Sequence, residues 1–205
     1  DSKFDFITGR KRFYYLSAAI IVAGIVSAFT QGFSLGVDFQ GGRAYFVAFE
    51  KPVEVEAVRS ILVDEFGAAV EVKTFGSSNQ VKITTSFMID NNDISTDQVV
   101  EAKLNEGLAN TGFEFEIMSS QKVGPTIADD IKTNAYWAVL GAMLLVCLYL
   151  VISFRKYQYS LGAIAAVAHD VIFVLGIYSL LWKYMPFGME IDQHFIAAIL
   201  TVIGY

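Results

Sequence analysis

Cysteine is all but missing, with Cys147 alone in 205 residues. No internal disulfide can form, so any folded part of the chain is held together by its own packed core. Histidine is nearly as scarce: His169 and His194 are the only two. A zinc site needs three or four converging ligands, and one His beside one Asp falls far short of that. A glycine-rich phosphate loop, a Walker sequence and a Ser-His-Asp arrangement are also lacking, which leaves no evident nucleotide site and no expected cofactor. Positive charge is in short supply too, 15 Lys or Arg against 21 Asp or Glu. Phosphate binding needs clustered Lys and Arg, so nucleic acid is not expected as a partner.

The most informative absence is that of charge over long stretches. Residues 13–30, FYYLSAAIIVAGIVSAFT, carry no charged side chain, and 18 residues at about 1.5 Å each span roughly 27 Å, close to the thickness of a bilayer's hydrocarbon core. Residues 135–154 form a second uncharged run, and residues 159–182 a third whose one formal charge is Asp170. With a mean hydropathy of +0.47, the chain reads as a multi-span membrane protein. A last apolar run, 195–205, covers about half a membrane thickness and is expected to be the opening of a truncated fourth span. The chain starts at Asp1, as an interior or trimmed segment would. RKR before the first run resembles a signal peptide, but the further apolar runs favour a retained anchor.

Lys3, Arg10, Lys11 and Arg12 precede the first span, and Arg155 and Lys156 lie in the 155–158 turn between the second and third. The positive-inside rule places residues 1–12 and 155–158 in the cytoplasm. Residues 31–134 and the 183–194 loop then lie outside the membrane on the far side. The 31–134 segment holds 16 Asp or Glu against 8 Lys or Arg, and the chain's acidity belongs to this one domain.

Its apolar pattern predicts a small α+β domain. Arg43–Glu50 alternates Tyr45, Val47 and Phe49 with Ala44, Phe46 and Ala48, as a strand with two buried faces would. After Pro52, Val55, Val58, Ile61, Leu62 and Phe66 fall at helical spacing, and Gly67 marks the stop. Val70–Phe75 and Val81–Phe87 read as strands joined by the hairpin loop GSSNQ. Beyond the cluster Asp90–Asp93, a second helix is expected over Thr96–Leu108 through Val99, Val100, Leu104 and Leu108, and a last strand over Phe113–Met118. Strand, helix, strand, strand, helix, strand is the order of a ferredoxin-like βαββαβ domain.

Two junctions flank it. In Gly36-Val-Asp-Phe-Gln-Gly-Gly42, three glycines permit positive φ and close backbone approach, and Asp38 can bond nearby amides. A rigid connector and a ligand contact both remain open. In Val123-Gly-Pro-Thr-Ile-Ala-Asp129, Gly124 suits a cap, Pro125 the first helical position, and Thr126 with Asp129 a capping box. A plain helix start and a hinge both fit. Within the third span, His169 and Asp170 lie near mid-membrane, where ionisable groups cost about 2.5–3.5 kcal/mol and face protein or water. A proton relay and a structural hydrogen-bonded pair both remain open, and metal binding lacks ligands. Gly162, Ala166, Asp170, Phe173 and Ile177 form a stripe along which a neighbouring helix could approach. His194 is expected at the membrane interface.

Four motifs in order, GVDFQGG after the first span, VGP before the second, HD within the third and FIAAILTVIGY opening the fourth, resemble the SecF family, or the SecF half of fused SecDF, from about Phe6 to Tyr205. The resemblance places the chain in the RND (resistance-nodulation-division) superfamily and in the bacterial inner (cytoplasmic) membrane. It implies a non-enzymatic accessory subunit of the Sec protein translocase that uses the proton-motive force to help draw preproteins across. Its implied partners are SecD, fused upstream or separate, the SecYEG channel, YidC, the translocating preprotein and membrane lipid. It assigns Gly36, Asp38, Phe39, Gly41 and Gly42 to one junction motif, Gly124 and Pro125 to a second, and His169 with Asp170 to a third. The family's acidic site on the fourth span falls beyond Tyr205. An RND-type exporter of small molecules or lipids, and a membrane-anchored scaffold, are the rival readings.

Overall fold

The computed structural model describes residues 6–67, 70–91, 94–154 and 156–205. Lys3 and Arg155 of the orientation argument, and Asn92 and Asp93 of the Asp90–Asp93 cluster, lie outside the described residues. In chain order the elements are α1 (Phe6–Thr30), α2 (Val37–Gln40), β1 (Gly42–Phe49), α3 (Val55–Phe66), β2 (Val70–Phe75) and β3 (Ser77–Thr85). They continue with α4 (Ile94–Ala109), β4 (Phe115–Val123), α5 (Pro125–Ser153), α6 (Tyr157–Leu181) and α7 (Gln193–Gly204). The chain divides into two compact units. One consists of Leu35–Ala135 and Met185–Asp192, and the other holds the remaining helices.

The first unit is built on an antiparallel sheet of order β2-β3-β1-β4. Alternation along β1 sends Tyr45, Val47 and Phe49 into one core with Val58, Leu62 and Phe66 of α3 and Val100, Leu104 and Leu108 of α4. Each helix contributes a residue every fourth position, which keeps its apolar side chains in one stripe. Leu62, Leu104 and Leu108 are fully buried. Truncating any of them to Ala costs about 2–5 kcal/mol, with no disulfide to compensate. The opposite face of β1 also finds cover: Ala44 packs with Val37, Val123 and Ala128, flanked by Phe46 and Ile131. Both faces of the strand are thus used.

Several boundaries differ from expectation. GSSNQ is not a loop, because β3 begins at Ser77 and the reversal falls at Gly76. Polar residues there occupy an exposed strand end, which composition alone does not distinguish from a turn. Phe87 lies beyond β3, although its ring still packs edge-on against Phe66 at 5.6 Å. Val99 is exposed. The last strand starts at Phe115 and runs on to Val123, since pairing with β1 continues through the polar SSQK stretch that carries no apolar signal.

The segment expected as a plain loop after the third span contributes to this unit. Its residues 185–192 lie along the sheet as a strap: the Thr74 amide donates to the Pro186 carbonyl at 3.0 Å, and the Gly36 amide to the Ile191 carbonyl at 2.9 Å. The Lys82 ammonium meets the Glu190 carboxylate at 2.5 Å, with both side chains largely buried.

Among the described residues, the second unit contains three helices long and apolar enough to cross a membrane, Arg10–Thr30, Pro125–Ser153 and Tyr157–Leu181, together with the shorter apolar α7. The first turns of α5 belong to the sheet unit and the rest to this one. Ser17 pairs with His169, Gly24 with Gly176 and Ser27 with Ser179. The partners always stand 152 residues apart, so α1 and α6 run parallel in constant register. Steps of seven and three between successive pairs are those of a heptad seam. The close approach falls at Gly176: a Cβ on Gly24 would stand 2.5 Å from its Cα. Gly162 of the expected stripe has open space beside it, because the face of α6 that meets α1 runs through 169, 176 and 179. Along α7, Phe195, Ile199 and Ile203 are buried, and the Phe195 ring lies 4.4 Å from that of Tyr178 on α6.

Candidate functional site

His169 and Asp170 are consecutive on α6, and the His169 Nδ1 lies 2.9 Å from the Asp170 carboxylate. The other ring nitrogen, Nε2, lies 2.5 Å from the Ser17 hydroxyl of α1. Phe173, one turn on, stacks against the imidazole at 6.1 Å. The three side chains form a hydrogen-bonded line Ser17–His169–Asp170 bridging the two helices. The sequence shows no Ser-His-Asp arrangement, and the structure corrects that, since residues so far apart in the chain can be paired only by the helix register. The line lacks what acyl transfer needs. Ser17 sits inside a regular helix whose amides are engaged in its own ladder, so no pair of free N–H groups forms an oxyanion hole beside it. A chain of groups that can each give and take a proton remains. Among the described residues no cluster of three or more His, Cys, Asp or Glu could hold a metal ion. His194 is exposed at the start of α7.

Farther along the same seam, the buried Ser27 hydroxyl donates to the Ser179 carbonyl at 2.9 Å, and the Ser179 hydroxyl donates to the Gly32 carbonyl at 2.9 Å. Interhelical bonds of this kind contribute about 0.6 kcal/mol each in membranes. They pin the end of α1 just before the glycine-rich junction.

The two junction motifs, separate in sequence, form a single knot. Gly42 pairs with Val123 in the sheet. Gly41, at φ +75°, faces Pro125, whose N and Cα would lie 3.3 Å from any Cβ placed there. Gly42 has φ +148°, and a Cβ on it would stand 3.1 Å from the Thr85 carbonyl oxygen. Val37 and Phe39 are buried, and the buried Asp38 carboxylate accepts a 2.8 Å bond from the Gln121 amide two residues before Val123. Gly36 is tied to the strap through its amide. Gly124 caps α5 in the expected place, its carbonyl accepting from the Ala128 amide at 2.9 Å. Because the helix starts at Pro125, Thr126 and Asp129 lie inside it and do not form the capping box their spacing suggests.

Arg43, directly after the knot, went unnoticed in the sequence, where it looks like the polar flank of a strand. It is buried, its guanidinium donates to the Phe87 carbonyl at 2.8 Å, and it meets the Asp97 carboxylate in the first turn of α4. Lys122 of β4 also reaches Asp97, at 2.8 Å. The hydrogen bonds from Lys122 and then Arg43 hold the Asp97 carboxyl below its ordinary value of 3.8. That stabilisation is present above pH 3.8 and is lost as pH falls through the lowered value. Asp97→Asn should therefore lower the melting temperature of the sheet unit at neutral pH, and the deficit should vanish in strong acid.

Glu71 behaves in the opposite way. Burial, then the nearby Glu190 charge, raises its carboxyl above the ordinary 4.5, against the opposing pull of Lys73, Lys82 and Arg59. A raised carboxylate penalises the folded state at pH above its folded value, and the penalty disappears as pH falls toward 4.5. Glu71→Gln is expected to raise thermal stability at pH 7, with an advantage that shrinks on acidification. A melting series across pH checks both sign and window.

Comparison with known proteins places these features in context. The family described as protein export membrane protein SecD/SecF, C-terminal, matches residues 103–205, and the SecD/SecF GG motif matches residues 26–53. The chain is 35% identical over its whole length to protein translocase subunit SecF of Rhodothermus marinus, covering 65% of that protein. It is 33% identical to the subunit of the same name from Haemophilus influenzae, over 98% of this chain and 58% of that one. The crystal structure of SecDF from Thermus thermophilus, a translocon-associated membrane protein, superposes with a TM-score of 0.77 at 28% identity over 100% of this chain and 26% of that chain.

Proposed function

The chain belongs to the SecD/SecF family of protein-export membrane proteins, and from that premise we propose that it is the SecF part of an accessory subunit of the bacterial Sec translocase, coupling proton passage to preprotein export. The observation that carries the coupling is the line Ser17–His169–Asp170, a set of exchangeable protons shared by two membrane-length helices. Proton gain or loss there changes which hydrogen bonds hold α1 to α6. The chain of α1 runs on into the knot of Gly36, Asp38, Phe39, Gly41, Gly42, Gly124 and Pro125, which transmits the change to the sheet unit. No bond-making chemistry is involved.

The parallel course of α1 and α6 supports an inner-membrane topology in which both helices leave the cytoplasm, with the N-terminus inside and residues 31–134 on the far side. Strand order β2-β3-β1-β4 with every neighbour antiparallel supports reading that domain as ferredoxin-like. The chain spans about two thirds or less of the relatives' lengths, 65% of the Rhodothermus subunit. The complete protein would supply the remaining spans and an acidic group on the fourth, and it would work with SecD, the SecYEG channel and YidC on the moving preprotein.

Asp170→Asn, introduced into the complete protein, should reduce proton-dependent export roughly tenfold or more, the effect of removing a group that exchanges protons. Export from inverted vesicles with and without a proton gradient measures it. Full gradient-dependent export at normal protein levels would remove Asp170 from the path. Activity indifferent to the gradient would favour a scaffold, and failure to co-purify with the channel a small-molecule or lipid exporter.

A further inference from the structure

The sequence singles out His169 and Asp170 but says nothing of Ser17, which reaches His169 only through the register of α1 on α6. We propose that Ser17 is the third member of the proton line: it sets the tautomer of His169, and its hydroxyl reverses when the ring takes up a proton, so that α1 responds to the charge on α6. The proposal rests on the proton-coupled reading above.

A neutral imidazole carries one N–H and one acceptor nitrogen. An ionised Asp170 can only accept, so the bond at Nδ1 puts the ring proton there and leaves Nε2 to accept from the Ser17 hydroxyl. A proton from water arriving at Nε2 makes an imidazolium with two donors. Ser17 must then turn from donor to acceptor. Transfer of the Nδ1 proton to Asp170 leaves a neutral acid and a neutral ring that now carries its proton on Nε2. Loss of the Asp170 proton to water, and passage of the ring proton from Nε2 to Nδ1 carried by water without release on the Ser17 side, restore the start. One proton has entered on the Ser17 side and one has left on the Asp170 side. A hydroxyl suits this turning point because it gives and takes equally well.

The helices packed against α6 carry other charged or titratable groups as well. On α1, Arg10, Lys11, Arg12, Tyr14 and Tyr15 lie within about two turns before Ser17. On α7, His194 lies at the helix start, away from the ring.

The test uses the complete protein, labelled with ¹⁵N-histidine and reconstituted in lipid vesicles, with the His169 signal assigned by its loss in His169→Gln. The Nδ1–H tautomer should dominate in the parent. In Ser17→Ala it should give way to a mixture, the pH profile of proton-driven export should shift, and the rate should fall about tenfold, the factor of a lost hydrogen bond of about 1.4 kcal/mol. Ser17→Thr, which keeps the hydroxyl, should retain tautomer, profile and rate. If Ser17→Ala does not accumulate, Ser17→Cys, a poor donor of similar size, should show the same losses. An unchanged tautomer and pH profile in Ser17→Ala or Ser17→Cys overturns the proposal. A shifted tautomer with undiminished export also overturns the role assigned to Ser17. Undiminished export in Asp170→Asn, by contrast, overturns the proton-coupled reading itself.

Discussion

Gly24→Leu should separate α1 from α6. Any side chain at position 24 begins with a Cβ 2.5 Å from the Gly176 Cα and 3.1 Å from its carbonyl carbon. Both are backbone atoms, so no rotamer change relieves the clash and the helices must move apart. In lipid, helices gain little from the hydrophobic effect on association, and close packing with interhelical hydrogen bonds carries the interaction. Overpacking costs about 1–3 kcal/mol, and the Ser17–His169 and Ser27–Ser179 bonds in the same seam are lost with it. A disulfide between Ser27→Cys and Ser179→Cys, in a Cys147→Ala background, should form readily in the parent and fail in Gly24→Leu. On the function proposed above, proton-driven export by the complete protein should fall in parallel. Gly162→Ala should leave the crosslink intact, because nothing among the described residues approaches that position. Efficient crosslinking in Gly24→Leu would show that the seam does not depend on the glycine pair.

Gly42→Val is expected to be the most damaging change in the sheet unit. The residue has φ +148°, where a branched side chain is strained by about 1–3 kcal/mol. Its Cβ would also stand 3.1 Å from the Thr85 carbonyl oxygen and 3.2 Å from Val37 Cγ1, so the junction cannot simply swing aside. Gly42 pairs with Val123 at the point where both motifs meet, and its displacement would loosen the first residues of β1 and the last of β4 together. Hydrogen exchange on the intact protein should show lost protection in both strands at once. Gly124→Ala, where a Cβ meets nothing within 4 Å and φ is not positive, should exchange like the parent. Equal damage at Gly42 and Gly124 would refute the idea that close backbone approach defines the knot.

The legibility of these features in the sequence follows physical lines. The membrane-length helices were readable because lipid demands a long run without charge, and that demand acts residue by residue. The helices of the sheet unit were readable for a similar reason: Val58, Leu62 and Phe66, or Val100, Leu104 and Leu108, recur with the period of the helix. Polar strand ends were not. β4 through Ser119–Lys122 and β3 from Ser77 are strands because a neighbouring strand supplies their hydrogen bonds. Arg43 escaped notice because burying a guanidinium requires Asp97 and the Phe87 carbonyl to be brought to it, and neither is near in sequence.

By itself, then, the sequence determined which segments form apolar helices of membrane length, the order of the four strands and two longer helices of the domain between them, and the four motifs on which the family resemblance stands. All of these depend on local composition and period. Tertiary structure alone decided that the GVDFQGG and VGP motifs are one knot, that the 185–192 segment straps the sheet, and that Ser17 completes a line with His169 and Asp170. Each of those depends on the register of one element against another. Register is the outcome of competing packings, and glycines mark where they are tightest: Gly24 and Gly176 where α1 meets α6, Gly41 against Pro125 and Val123, and Gly42 against Thr85 and Val37.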